Sequence, residues 1–284
     1  MSKPAVSVVV PTRDRPDELA LALASLDRLR GREQAELIVV DDGSRDSTAE
    51  RLARAHGARY LRHPQAGGLN AARNTAIEAA ESELIAFVDD DVVVPEQWLC
   101  ELLAGVARHP AADAFAGAIV ARIEGFAGRG CGRHAPPITA LDFGPDDRPV
   151  ATAWGACMAI RRRAFERVGL FDVALSVDEG DEAEWFERLR AAGGRVVYLG
   201  AWRLEHVRQG RSARVSALLR ASYRRGRGAR RSDQRRGQAP SLAGELRTLV
   251  GCGWHVARRR CPQGLLLAAH ALGRTVEAAG SRES

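Results

Sequence analysis

Leu84-Ile85-Ala86-Phe87-Val88-Asp89-Asp90-Asp91 sets an unbroken apolar run against three consecutive carboxylates. The run has the length and composition of a buried strand. Three adjacent acids repel one another and lose solvation wherever they are buried, so a fold gains no stability from placing them there. A hard divalent cation removes the conflict, because Mg²⁺ or Mn²⁺ prefers carboxylate oxygens and keeps positions open for phosphates. Open α/β sheets bind ligands at the carboxyl ends of their strands. The stretch therefore predicts a metal–phosphate site; the plainer alternative is a solvated acidic turn.

The same strand-then-polar pattern recurs elsewhere in the chain. Val6 to Val10 is a β-branched run ended by Pro11, and Glu36 to Val40 is a second buried strand ending in Asp41-Asp42-Gly43-Ser44. Leu19, Leu23 and Leu26 fall at helical spacing within 17–29, and a second helix is expected from Ser47 to His56, closed by Gly57. A short strand over 58–62 follows, then a helix opened by Gly67-Gly68 and running through Ala80. Strands alternating with helices of this length predict an α/β fold with a parallel sheet. Further on, 96–109 reads as helix, 114–123 as strand, and the Gly- and Pro-rich 124–150 as a long functional loop. A strand is expected over 150–160, helices from Arg162 and over 181–192, and a last strand over 195–199.

Charge divides the 284 residues unevenly. Residues 1–202 carry 24 Lys/Arg against 31 Asp/Glu, whereas 203–284 carry 18 against 5. A basic segment of this kind implies an anionic partner. Arg224 to Arg231 reads as too charged to build a core, while 242–254 and 265–276 have amphipathic helical spacing. The five cysteines are scattered without a C-x-x-C pair, which predicts reduced thiols in a cytoplasmic protein rather than a disulfide framework or zinc site. No run of 18 apolar residues and no signal-peptide pattern is present, so neither a spanning helix nor export is expected.

Three further segments can carry chemistry. A carboxylate of Asp41-Asp42-Gly43-Ser44 can accept a hydrogen bond from a nucleoside, or the segment is a helix cap and turn. Gly68 to Asn74 opens a helix whose N-terminus and Arg73 suit phosphate, or is a glycine entry with a surface arginine. Asp178 to Trp185 is an acidic helix start, read either as dipole stabilisation or as the source of a general base, with Trp185 either stacking on a sugar or packed in the core. His206 is either structural or a metal or phosphate contact. Neither G-x-G-x-x-G nor G-x-x-x-x-G-K-[ST] occurs, which disfavours a dinucleotide fold and a P-loop.

Taken in order, Val8-Val9-Val10-Pro11-Thr12, Val39-Val40-Asp41-Asp42-Gly43-Ser44, Gly68-Leu69 with Ala72-Arg73-Asn74, Phe87-Val88-Asp89-Asp90-Asp91, Gly155-Ala156-Cys157-Met158-Ala159, Gly169-Leu170-Phe171-Asp172 and the acidic helix leading to Arg188-Leu189 resemble the family 2 glycosyltransferases. The resemblance spans Val6 to about His206. It implies a GT-A fold, a Rossmann-like mixed, mostly parallel sheet flanked by helices, over 1–210, followed by a basic helical C-terminal extension over 211–284. It implies an inverting transfer of a sugar from a UDP-, GDP- or dTDP-sugar to an acceptor hydroxyl with Mn²⁺ or Mg²⁺.

The resemblance also implies roles. Pro11, Thr12 and Asp42 would line the nucleoside pocket, with Arg73, Asp89 and Asp90 on the donor. Asp91 and Asp89, joined by His206, would hold the metal, Asp91 most directly. Trp154, Gly155, Ala156 and Trp185 would border the acceptor. The family's Glu-Asp pair appears here reversed as Asp181-Glu182, so alignment gives Glu182 as base and residue type gives Asp181. A lipid-linked acceptor would bring the basic tail against an anionic membrane, at the inner face of the cell membrane; an oligomer contact is the alternative. A nucleotidyltransferase would need glycines that Thr12-Arg13-Asp14-Arg15 lacks. Nucleic-acid binding would need aromatic interleaving that the tail lacks, with only Tyr223 in its most basic part. The reversed acidic pair leaves a catalytically silent relative as the remaining alternative.

Overall fold

A computed structural model describes residues 3–125, 139–175 and 181–280. Residues 126–138 of the expected 124–150 loop, Cys131 among them, and the Asp178-Glu179 part of the acidic run lie outside the described residues. The described chain forms two compact units, one built from 3–121, 139–175 and 181–207 and the other from 122–125 and 208–280.

In the first unit β1 (Val6–Thr12), α1 (Pro16–Leu26), β2 (Ala35–Asp41), α2 (Thr48–Ala55), β3 (Arg59–Arg62), α3 (Leu69–Ala79) and β4 (Leu84–Val88) alternate as the sequence predicts. They are followed by β5 (Val92–Val93), α4 (Trp98–Arg108), β6 (Ala114–Ile123), β7 (Arg148–Pro149), β8 (Cys157–Arg161), α5 (Arg162–Val168), α6 (Asp181–Ala191) and β9 (Val196–Arg208). The sheet order is β3-β2-β1-β4-β8-β6-β9-β5, with β7 also on β9. The β3-β2-β1-β4 half is parallel, whereas β8 runs antiparallel to both β4 and β6.

Alternation along the strands explains why both faces are covered. Val8, Val10, Leu37, Val39, Ala86 and Val88 pack in one core with α1, α2 and α4. Val9, Ile38, Val40, Ile85 and Phe87 pack on the other side with α3, α5 and α6. A strand buried on both faces must be apolar throughout, as these runs are.

Strand boundaries at three places differ from the sequence reading in ways that shape the sheet. Pro11 does not end β1, which continues to Thr12. β4 pairs with β1 only through Val9, and Thr12 O accepts from Asp42 N, so the missing N–H of Pro11 falls on the side where no partner strand remains. β8 begins at Cys157, not Val150; residues before it form a turn closed by Cys157 N on Trp154 O. β9 runs on to Arg208 rather than stopping at Leu199. A Cβ on Gly200 would lie 2.1 Å from Pro145 O, so glycine lets a neighbouring segment approach the strand.

The second unit carries α7 (Val215–Arg235), α8 (Leu242–Arg259) and α9 (Pro262–Gly280), with α9 packed on both others. The arginine-rich run was expected to contribute no core, but Gly226, Gly228 and Arg230 of α7 are buried. Glycines on both helices are the reason: a Cβ on Gly226 of α7 would lie 1.9 Å from His270 O, and one on Gly273 of α9 would lie 2.1 Å from Tyr223 O. α7 and α9 therefore meet backbone to backbone, and the arginines point past the contact to acids. Glu245, 2% exposed, accepts from Arg230 and Arg274, while Glu277 accepts from Arg227 and Arg231.

Gly226→Ala is expected to lower stability by about 1–3 kcal/mol, the usual cost of overpacking a close contact. Urea unfolding of the variant checks this; an unchanged midpoint would mean that the helices can separate freely.

Candidate active site

β4 delivers Asp89, Asp90 and Asp91 to the carboxyl edge of the sheet, and neighbouring strands then sort the three side chains. Short β5 turns the chain back against β9, pairing Val92 with His206, and Val207 N donates to Asp91 O at 2.8 Å. That register brings His206, 115 positions later, beside the acids. Its Nε2 lies 2.9 Å from Asp91 Oδ1, with both side chains about 5% exposed or less. Asp89, Asp91 and His206 each offer a ligand atom, and the three lie within 4.8 Å of one another.

The chemistry of these donors fits a cation. His206 Nδ1 sits 3.2 Å from Thr139 O, and a carbonyl can only accept, so Nδ1 carries the hydrogen. With Nδ1 donating, Nε2 faces a carboxylate oxygen at 2.9 Å, a contact that needs a proton or a metal between the two atoms. Two carboxylates and one imidazole form a mixed oxygen–nitrogen set of the kind that transition-metal dications accept. Burial pushes the Asp89 carboxyl above its ordinary pKa, and the charge of Asp91 adds to the rise.

Asp90 turns the other way. Its Oδ2 accepts from Thr12 Oγ1 at 2.8 Å and its Oδ1 from Arg15 at 2.6 Å. Asp90 was expected on the donor; its carboxylate instead ties the end of β4 to the end of β1. Burial, partly offset by Arg15, raises its pKa to about 7. Arg15 also reaches Asp91 Oδ2 at 2.5 Å, so one guanidinium bridges two of the three acids. Sequence reading missed Arg15. The available signal was a cation just after β1, followed by Pro16 at the start of α1, which points its side chain toward the same sheet edge. Thr12 and Arg15 line a small cleft with Asp14, Ser44, Arg45 and Asp46.

Asp42 is buried, and its oxygens accept from Gly67 N, Gly68 N and His63 Nδ1 at 2.7–2.9 Å. It holds the turn that opens α3. Pro11, likewise buried, is part of the strand.

A second cluster forms around Arg73 of α3, which is 2% exposed. Its Nη1 lies 3.5 Å from Glu182 Oε2, and its guanidinium covers the Phe171 ring at 5.6 Å. Gly155 N donates to Glu182 Oε1 at 3.1 Å. A Cβ on Gly155 would lie 1.9 Å from Arg73 Nη2, so glycine lets the turn close over the guanidinium where it stands. The fold thus brings Arg73, Gly155 and Glu182 together. Asp181 opens α6, but its side chain lies outside the described part. Arg73 and Glu182 are near enough to act on the charge of Asp89.

Other motif residues serve the scaffold. Asn74 exchanges two hydrogen bonds with the Phe171 backbone, and Asn70 Nδ2 donates to Asp172 O, locking α3 to the 169–172 segment. Trp185 was expected against the acceptor. It is fully buried among Phe165, Phe171 and Phe186, and its Nε1 donates to Gly169 O, so no ring face is left for a sugar. Of the remaining expected acceptor residues, Trp154 is 37% exposed and Ala156 is buried.

Residues 7–169 match the family model described as Glycosyl transferase family 2. The chain belongs to this family. It is 33% identical over 201 residues to a pre-mycofactocin glycosyltransferase of Mycobacterium tuberculosis, a match covering 68% of this chain and 40% of that protein. It is 31% identical over 246 residues to the O-antigen biosynthesis protein RfbC of Myxococcus xanthus, covering 78% of this chain and 18% of that one. The chain thus spans less than half the length of these relatives. Among solved structures it resembles a mannosyltransferase from Pyrobaculum calidifontis in complex with GDP-Man and Mn²⁺. The TM-score is 0.67 at 15% identity, over 99% of this chain and 89% of that one, which shows that the family 2 chain has the GT-A fold.

Arg15→Gln is expected to lower the stability of the metal-free protein by about 1–2 kcal/mol, below the 3–5 kcal/mol of a fully buried pair because the guanidinium is a third exposed. Added Mn²⁺ should raise the melting temperature of this variant more than that of the parent. Equal melting temperatures without metal would remove the bridging role.

Proposed function

We propose that this protein transfers a sugar from a nucleoside-diphosphate sugar to an acceptor hydroxyl, with inversion at the anomeric carbon and with a divalent cation held by Asp89, Asp91 and His206. The observation that carries the reading is the convergence of these three side chains from the link after β4 and from β9. The imidazole in the set favours Mn²⁺ over Mg²⁺, which prefers oxygen ligands alone. When bound, the cation would offset the negative charge that the leaving diphosphate gains.

The chain's own residues account for the rest of the proposed reaction. Glu182 is the proposed base, supported by the Gly155 N–H and Arg73, which fix its carboxylate. The acceptor hydroxyl gives its proton to Glu182 while its oxygen bonds to the anomeric carbon. The bond from that carbon to the diphosphate oxygen breaks on the opposite face, and the electron pair leaves with the nucleoside diphosphate. Arg73 Nε is buried without a hydrogen-bond partner among the described residues, which suits it to a donor phosphate oxygen. The Thr12–Asp46 cleft, at the ends of β1 and β2, is the proposed seat of the nucleoside. Trp154, Gly155 and Ala156 are the proposed acceptor side.

Calorimetric titration with UDP, GDP and dTDP tests the reading, each with Mn²⁺ and again with a chelator. One nucleotide should bind tightly and lose binding with the chelator. Asp91→Asn should abolish this metal-dependent binding; unchanged binding would take Asp91 out of the metal site.

Glu182→Gln should keep nucleotide binding and lower transfer by about 10²–10⁴-fold, the span of general-base catalysis. Asp181→Asn should retain transfer. Loss of transfer in Asp181→Asn with an active Glu182→Gln would reverse the assignment of the base.

A further inference from the structure

α8 has two unlike sides. At 100° per residue, Ala243, Leu246, Val250, Gly253, Trp254 and Ala257 fall within a sector of about 100°. All six are exposed: Leu246 by 46%, Val250 by 70% and Trp254 by 67%. The stripe runs about 21 Å along the helix axis. Arg247 and Arg258 border it on one edge, and the Arg258 guanidinium lies over the Trp254 ring at 5.9 Å. Glu245, the one acid of α8, points inward to Arg230 and Arg274. Asp233 and Glu277 are likewise engaged by arginines of α7 and α9. The outward side of α8 is therefore apolar and cationic without a carboxylate.

We propose that this face of α8 docks on an anionic lipid surface, with Val250 and Trp254 in the interfacial zone and Arg247 and Arg258 on headgroup phosphates. A straight apolar stripe on one side of a helix suits a planar surface, and indole prefers the depth of the headgroups. Arginine keeps its stem on apolar surface while its guanidinium pairs with phosphate. A second copy fits less well, because a symmetric contact through this face would set its arginines against one another. Among the described residues no helix is long and apolar enough to cross a membrane, so the contact is peripheral. The inference is independent of the proposed reaction.

The test is flotation of the full chain with vesicles of phosphatidylcholine alone and of phosphatidylcholine mixed with phosphatidylglycerol. The protein should float with the mixed vesicles only, and less as salt rises. Val250→Ser combined with Trp254→Ser should weaken partitioning at least about tenfold. Arg247→Gln combined with Arg258→Gln should weaken it by about thirtyfold. Both pairs are surface changes and should leave the melting temperature and nucleotide binding as they are. Flotation with neither vesicle, equal flotation with both, or unaltered flotation of the Ser variant would overturn the proposal. So would light scattering showing a dimer that the Ser variant dissociates, which would assign the face to a second copy.

Discussion

Three carboxylates confined to one strand end are the constraint around which the first unit is arranged. At about 4 Å, two such charges repel by about 4 kcal/mol at the effective dielectric of a protein surface. The fold answers by separating them. Asp90 is drawn back to Thr12 and Arg15 at the end of β1, whereas Asp89 and Asp91 turn toward His206 on β9. Arg15 spans the two groups, so it neutralises charge while leaving Asp91 Oδ1 directed at the imidazole. The extension of β1 past Pro11 and of β9 past Gly200 are both required, since either strand stopping earlier would remove a counter-group.

Close backbone approach shapes both the Arg73–Glu182 cluster and the helix packing of the second unit. Gly155 admits the Arg73 guanidinium and so lets its own N–H reach Glu182. Gly226 and Gly273 let α7 and α9 touch at main-chain distance, which turns an arginine-rich helix into a packed one. In each case a missing side chain allows a charged neighbour to find its partner. The acids of the C-terminal helices are consumed inside that packing, and the positive charge is left to the surface.

Most of the first unit's elements are legible in the sequence because local patterns determine them. Buried parallel strands need continuous apolar runs, and the runs at Val6, Glu36 and Leu84 announce β1, β2 and β4. The Asp triplet likewise announces an electrostatic conflict that must be resolved somewhere. Other polar and aromatic motif residues serve the scaffold. Asn70, Asn74 and Asp42 are spent on backbone groups, and Trp185 on an aromatic core, because buried polar and aromatic groups find internal partners first.

Local sequence pattern settles the alternation of strands and helices, the family and the place where acids crowd. Those follow from spacing along the chain and from residue types that have few other uses. Tertiary structure decided which acid faces which partner: that Arg15 bridges Asp90 and Asp91, that His206 joins Asp89 and Asp91, and that Glu182 meets Gly155 and Arg73. These pairs lie tens of residues or more apart, and strand register and glycine contacts, rather than any local pattern, bring them within hydrogen-bond reach.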